Sequence, residues 1–353
     1  MFQESKKICS RTAEEELFEC AELVLPWLPL SDLASMSSTC KSLRQIAKAI
    51  TTRRIFDASR SLEKHPIPFI NTVDAQPYSY FIYTPSQILG LPDSSPIYQP
   101  WGSNPKIPIS NSCPMTDLNL TIGLVSSVVE NCSGCVCKNC SRVTKDGDLE
   151  CPCWSIQPEL MGSCLVSEMM TECGSSCVCG LDCANRLTQQ GVSVRLKIVK
   201  HRRKGWGVEA AQFIGCGKFI CEYAGELLTT EEARKRQQKY DELSSSVHFS
   251  SALLVVREHL PSGKACMRVN IDATRVGNIA RFINHSCDGG NLMTVLVRSS
   301  GALLPRICFF ASRDIQEGEE LTFSYGDVRT RLKGLQCFCG SSGCVGLLPS
   351  EQT

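Results

Sequence analysis

Cysteine constrains this sequence more than any other residue: there are 23 in 353 residues, and eleven of them fall between Cys132 and Cys183. A run this dense reads as a disulfide scaffold or as a metal site. The stretch from Met1 to Cys20 holds no apolar run long enough for a secretory signal, and no stretch of roughly 18 apolar residues occurs elsewhere. The expectation is a soluble, intracellular chain with no membrane partner. Thiols stay reduced in that compartment, so the cysteines point to metal rather than to disulfides.

Their spacing says how much metal. Nine thiols stand as Cys135-x-Cys137-x2-Cys140, Cys151-x-Cys153 and Cys173-x3-Cys177-x-Cys179-x3-Cys183. Zinc takes four soft ligands in a tetrahedron. Nine thiolates cannot make an integral number of separate sites, but they satisfy three zincs if three of them bridge two ions each. Cys132 and Cys164 fall outside the pattern and read as free thiols. A second set, Cys337-x-Cys339-x4-Cys344, is one ligand short and must borrow a fourth from elsewhere. With thirteen thiolates and four divalent ions counted, the formal charge of +1 becomes −4. That balance suits a basic peptide better than a nucleic-acid backbone. A zinc-dependent DNA reader fits poorly as well, since the spacing lacks the usual histidines and no isolated basic helix follows.

Around the cysteines the chain divides by composition. Residues 12–57 read as helical, with Leu25, Leu28, Leu33, Met36, Cys40, Leu43 and Ile46 recurring at threes and fours. Pro26 and Pro29 break the run, and Ser31-Asp32 offers an internal helix start. Ten prolines lie between Pro66 and Pro114, so that stretch sustains no long helix or central strand and reads as a linker or a loop-rich wrap. Between the cysteine sets, short β-like runs are expected at Val192–Val199, Lys218–Tyr223, Ala252–Val256, Ala265–Ile271, Arg306–Phe310 and Glu320–Phe323. Thr230–Leu243 is the one clear helix. The fold class is mainly β.

Three motifs in that β-rich stretch carry chemistry. Lys204-Gly205-Trp206-Gly207 sets two glycines around an aromatic, which permits close backbone approach to a ligand. Lys200–Lys204 also has the look of a nuclear-import tract, but its basic run ends in that glycine loop. Arg281-Phe282-Ile283-Asn284-His285-Ser286-Cys287 places an amide beside an imidazole, a pair able to hydrogen-bond a nucleoside or an amino-acid moiety. A hydrolytic histidine would need a nucleophile such as a G-x-S-x-G turn, and none is present. In Glu320-Leu321-Thr322-Phe323-Ser324-Tyr325, the two aromatics share one face of a strand, toward a cavity or toward a core.

In this order the three motifs resemble the SET domain: its G-x-G turn, its R-F-x-N-H-S/C segment and its E-L-x-F-x-Y end. Cys221-Glu222-Tyr223-Ala224-Gly225-Glu226 matches the same family's E-Y-x-G-E strand. The nine cysteines, followed by Asn185-Arg186, resemble the pre-SET three-zinc cluster, and the C-terminal three resemble a post-SET site. The nearest group is the plant suppressor-of-variegation-related histone-lysine methyltransferases. The resemblance spans residues 132–345. It implies a SET β-clip fold and a layout of helical segment 1–60, proline-rich linker 61–130, pre-SET 131–190, SET 191–327 and post-SET 328–353. It implies methyl transfer from S-adenosylmethionine to a lysine of histone H3, lysine 9 by subgroup, in nuclear chromatin and in silencing.

By the same resemblance Cys287 completes the C-terminal zinc site, for four zincs per chain. Tyr325 and Tyr223 take the catalytic positions, and Phe323 lines the lysine channel. Lys204, Gly205, Trp206 and Gly207 cradle the cofactor, while Arg281, Asn284 and His285 hold its other end. The chain departs from the family at His248-Phe249, where relatives often carry a cofactor-contacting tyrosine. It departs again at Asp327–Gln336, which lacks the aromatic that often closes the channel. Residues 12–57 also resemble an F-box, which implies docking on a ubiquitin-ligase adaptor; a plain helical hairpin is the alternative.

Overall fold

The computed structural model describes residues 13–28, 30–76, 78, 81–90, 99, 101–102, 134–137, 140, 151–153, 169–246, 251–259, 266–302, 304–326 and 335–349. Its N-terminal part is helical: α1 (Ala13–Val24), a 3-10 turn at Leu25–Trp27, α2 (Leu30–Ser37) and α3 (Lys41–Phe56). The apolar positions at threes and fours converge, and Ala21, Leu25, Leu33, Leu43, Ala47 and Ile50 form a small core of their own. Cys40 stands outside that core; its Sγ caps α3 by accepting the Leu43 N–H at 3.5 Å. Arg54 closes the unit, donating from Nη2 to the carbonyls of Pro26 (2.8 Å) and Leu28 (2.7 Å).

The remainder is built from three sheets. The first runs β1 (Phe69–Ile70), β5 (Leu196–His201), β6 (Gly205–Ala210), β14 (Glu320–Phe323), β11 (Asn284–His285). The second runs β2 (Ile82–Tyr83), β10 (Cys266–Gly277), β8 (Gly225–Leu228), β3 (Ile88–Leu89), with β9 (Leu253–His259) also paired to β10. The third runs β4 (Met170–Glu172), β12 (Leu292–Ser299), β13 (Arg306–Ala311), β7 (Phe219–Glu222). A continuous apolar core joins them, including Ile198, Val208, Ile271, Ile283, Phe309 and Leu321. Sequence periodicity had indicated neither β6, whose glycines read as a loop, nor β12, which is apolar on both faces.

The proline-rich stretch contributes strands as well. β1 pairs parallel with β5, β2 with β10 and β3 with β8. Each is only two residues long, which is what the flanking prolines allow. Side chains fasten this segment down. Glu63 accepts the Tyr83 hydroxyl at 2.6 Å and the Val192 N–H at 2.8 Å. Lys200 reaches Asp74 at 2.7 Å, and its ammonium with the Asn71 amide brings the Asp74 carboxyl down to about 2. In the described part, residues 67–89 therefore wrap onto the sheets.

One helix, α4 (Thr230–Ser246), packs on the second sheet through charge. Arg236 pairs with Glu226 (2.9 Å) and Asp272 (2.8 Å), both fully buried, and Tyr240 donates to Asp272 at 2.6 Å. Truncating the cation leaves two buried carboxylates without their partner. Arg236→Ala should cost about 3–5 kcal/mol, measurable by chemical denaturation; a loss under about 1 kcal/mol would show that the carboxylates find other cover.

Candidate functional site

The nine N-terminal cysteines come together. Cys135, Cys137, Cys140, Cys151, Cys153, Cys173, Cys177, Cys179 and Cys183 form one cluster. Sulfur–sulfur separations are 3.6 Å for Cys135–Cys140, 3.8 Å for Cys135–Cys173, 3.7 Å for Cys140–Cys173 and 3.6 Å for Cys153–Cys177. A tetrahedral zinc with bonds of about 2.3 Å requires ligand sulfurs about 3.8 Å apart. Three four-cysteine groups can be drawn in the cluster; Cys135 belongs to all three, and Cys140 and Cys173 to two each. Shared thiolates are what a three-ion cluster on nine ligands demands. Cys183 lies 4.0 Å from Cys173. Cys132 and Cys164 lie outside the described residues.

The cluster is tied to the sheets by its neighbours. Glu172, fully buried beside Cys173, accepts from the Thr188 N–H (2.8 Å), the Thr188 hydroxyl (2.9 Å), Gln189 (3.0 Å) and Arg306 (2.9 Å). Arg306 also reaches Glu222, which precedes Tyr223, at 3.3 Å. At Gly174 the chain passes so close to the Ser300 carbonyl that a Cβ would sit 1.9 Å from its oxygen, so no larger residue fits.

The second metal group assembles across a long gap in the sequence. Cys287 lies 3.8 Å from Cys337 and 3.9 Å from Cys344, and with Cys339 they form a four-thiol group. Burial works against ionising Cys339, but the Ser341 hydroxyl and backbone N–H groups outweigh it and bring the thiol down to about 5. A thiolate ready to ligate is the result.

His285 connects this group to the aromatic motif. Its ring is buried, which pulls it below the ordinary histidine value against the opposing effects of the Phe323 backbone and Asp288. Nδ1 accepts the Tyr325 N–H at 3.1 Å, so the proton sits on Nε2, which lies 3.3 Å from the Cys287 sulfur. One imidazole thus links a metal ligand to the backbone of Tyr325.

Beyond His285 stands an aromatic wall. Ring centroids are 5.2 Å apart for His285–Tyr325, 4.9 Å for Tyr325–Phe323, 4.6 Å for Phe323–Phe309 and 6.3 Å for Phe309–Tyr223. The Tyr325 hydroxyl donates to the Ile283 carbonyl at 2.8 Å, and that of Tyr223 to the Ala252 carbonyl at 2.8 Å. Burial pushes the Tyr223 phenol well above its ordinary value, so it stays protonated at neutral pH. Tyr325 is 37% exposed as a residue, yet burial of its phenol pushes that group above its ordinary value. Phe309 belongs to this wall, yet as a residue inside an apolar strand it carried no distinguishing sequence signal.

The glycine turn lies alongside. Gly205 takes a left-handed φ of +77°, and a Cβ on Gly207 would come within 2.9 Å of both Asn284 Nδ2 and Glu320 Oε1. The absent side chain lets Asn284 reach the Trp206 carbonyl (3.3 Å) and Glu320 (2.9 Å). Lys204 pairs with Glu320 at 2.6 Å. The Trp206 ring packs edge-on against Phe69 and Tyr78. Lys204, Ser286, Asn291, Glu320 and Cys339 border a polar cleft of about 290 Å³ between the turn and the metal group. Arg281 Nη1 is buried with no close hydrogen-bond partner among the described residues, while its guanidinium interacts with the Tyr78 side chain. His248 and Phe249 lie outside the described residues.

Comparison with known proteins agrees with this geometry. The SET-domain family model matches residues 205–326, from the glycine turn to just past Tyr325. Histone-lysine N-methyltransferase SUVR3 of Arabidopsis thaliana is 54% identical over 97% of this chain and 94% of its own length. The chain belongs to the SET-domain histone-lysine N-methyltransferases. As a member of that family it is an S-adenosylmethionine-dependent protein-lysine methyltransferase. The crystal structure of the methyltransferase domain of human SETMAR superposes with a TM-score of 0.60 at 25% identity, covering 83% of this chain and 97% of that one. KRYPTONITE, solved with mCHH DNA, an H3(1-15) peptide and SAH, superposes at 0.54 with 26% identity over 83% of this chain and 53% of that one. The expected SET fold is the one observed, and the cysteine groups of this methyltransferase can hold zinc at both ends of its catalytic domain.

Proposed function

We propose that this methyltransferase acts on lysine 9 of histone H3 in nuclear chromatin, in gene silencing. The observation that carries the reading is the wall Tyr223–Phe309–Phe323–Tyr325, apolar in its rings and hydroxylated at its two ends. It suits a lysine side chain, with methylenes along the rings and the amine at the tyrosine oxygens. The H3(1-15) peptide bound by KRYPTONITE contains lysine 9 and supports the choice of tail.

Lys204, Gly205, Trp206 and Gly207 form one side of the cofactor site in this reading, and Arg281, Asn284 and His285 the other. When bound, S-adenosylmethionine supplies a methyl group on a sulfonium, whose S–C bond electrons return to sulfur as the amine nitrogen bonds to carbon. The chain's part is to deliver that amine unprotonated and in line. A lysine has an ordinary pKa of about 10.4, and burial against apolar rings lowers it. Tyr223 and Tyr325 are neutral phenols already donating to carbonyls, so their remaining lone pairs accept from the amine and orient it. Neither is a base; the proton leaves to water before the amine enters. Alignment supplies most of the acceleration.

Phe323 sets how far the reaction runs. Its ring is 4% exposed between Phe309 and Tyr325 and offers no hydrogen bond, so the amine can rotate after each transfer. The enzyme should make di- or trimethyl-lysine. Phe323→Tyr should stop at one methyl by mass spectrometry, and a wild-type product that never passes one methyl overturns the assignment.

The decisive assay is transfer of radiolabelled methyl to H3 peptides with lysine 4, 9 or 14 replaced by arginine. Loss of signal only on replacing lysine 9 is the expected result; signal that follows another lysine refutes the target. A second reading rests on the separate helical core of residues 13–56, where Leu23 (73%), Ile55 (70%) and Phe56 (52%) are exposed. Docking of a ubiquitin-ligase adaptor there is compatible with methyl transfer, and a pull-down with the adaptor in the same preparation tests it.

A further inference from the structure

Two segments assigned above to the cofactor, the Trp206 turn and Arg281-Phe282, are far apart in sequence and meet through a third. That third segment is the wrap, which enters before the cysteine cluster. Tyr78 stacks on Phe69 at 5.1 Å and 12°, and meets Trp206 edge-on at 5.5 Å and Phe282 at 4.8 Å. Phe81 adds an edge contact to Phe282 at 5.6 Å. The Arg281 guanidinium lies over Phe81 at 4.6 Å, Phe282 at 5.2 Å and Tyr78 at 5.5 Å. Its Nη2 donates to the Thr274 carbonyl at 3.1 Å, and burial pulls the group below its ordinary value.

Among the described residues this buried cation has no carboxylate partner, which is costly, and the ring faces recover part of that cost. Rings also fix where the guanidinium points. Hydrogen bonds to water would leave it free to swing, whereas a cage of three rings holds its plane. The same Tyr78 ring packs edge-on against Trp206, whose carbonyl accepts from the Asn284 amide.

We propose that Tyr78 and Phe81 are positioning residues for S-adenosylmethionine: the wrap supplies an aromatic cage that holds both Arg281 and the Trp206 turn in place beside the cofactor. The inference rests on the cofactor reading above and adds two residues outside the stretch matched by the SET family model. It gives the N-terminal wrap a role in cofactor binding, where sequence alone offered a linker or a loop-rich wrap.

Isothermal titration with S-adenosylhomocysteine and steady-state kinetics on the full chain provide the test. Tyr78→Ala and Phe81→Leu should each raise the Kd and the KM for S-adenosylmethionine about 10-fold, with kcat and peptide KM within about threefold of wild type. Phe81→Leu keeps apolar volume and removes only the ring face, so it separates the cage from simple packing. Tyr78→Phe keeps the ring and loses only the hydroxyl that interacts with Arg281; wild-type affinity is the expected result, and affinity as weak as that of Tyr78→Ala overturns the ring cage. A general loss of active fraction, with Kd unchanged in the folded remainder, overturns the proposal. Arg281→Lys tells the two layers apart. If it weakens cofactor binding while Tyr78→Ala and Phe81→Leu do not, the cage is wrong and the cofactor assignment stands. If all three bind normally, the assignment itself falls.

Discussion

Tyr325→Phe should lower kcat by about 10²–10³-fold while S-adenosylhomocysteine binds within about twofold of wild type. The substitution keeps the ring, and with it the contacts to His285 at 5.2 Å and Phe323 at 4.9 Å. It keeps the backbone N–H that His285 Nδ1 accepts. What it removes is the oxygen held on the Ile283 carbonyl, one residue before Asn284. In the proposed mechanism that oxygen orients the amine during transfer, so its loss should be felt in turnover and hardly in cofactor affinity. Single-turnover kinetics beside titration calorimetry separate the two. Equal losses of binding and turnover would make Tyr325 a binding residue instead.

Withdrawing zinc from the C-terminal group should silence the enzyme before the fold gives way. The thiols of Cys287, Cys337, Cys339 and Cys344 hold residues 335–349 against the Asn284-His285 corner. Cys287 also anchors the Nε2 side of the imidazole whose Nδ1 carries Tyr325. Losing that ion frees one wall of the cleft and the histidine together, since metal binding and local folding are one equilibrium. Cys344→Ser should therefore leave three zincs per chain, circular dichroism near wild type and activity down about 100-fold. Limited chelation should act in the same order, because the nine-thiol cluster shares ligands and buries most of them. Full activity in a chain with three zincs would refute the coupling.

What could be read from the sequence follows from how strictly chemistry spaces its residues. Most of the thiols in the nine-member cluster have a neighbour two to four positions away, so that cluster was visible without a fold, whereas Cys287 was tied to its distant partners only through the family resemblance. Phe323 and Tyr325 were visible for a similar reason, because a strand alternates its faces. Phe309, Tyr78 and Phe81 were not. Their partners lie on other strands, and no local period marks a residue whose value comes from a ring far away in the chain. The two-residue strands at Phe69, Ile82 and Ile88 are shorter than any periodicity can register, and their parallel pairing depends on sheets formed much later in the sequence. Glu320 stood inside a recognised motif, but its hold on Lys204 and Asn284 required the sheet order β6-β14-β11.

Those three short parallel strands bear on how the protein can be cut. β1 occupies an outer edge of the first sheet and β3 one of the second, while β2 covers the end of β10 that lies beyond its pairing with β9. A fragment begun at the cysteine cluster would leave β5, β8 and the Val276–Gly277 end of β10 with unpaired amide and carbonyl groups, and one cut to the family match would lose β5 as well and bare β6. Open edges of that kind recruit other chains. A fragment that keeps its sheet edges covered is accordingly longer than the stretch matched by the family model and should begin ahead of β1 at Phe69.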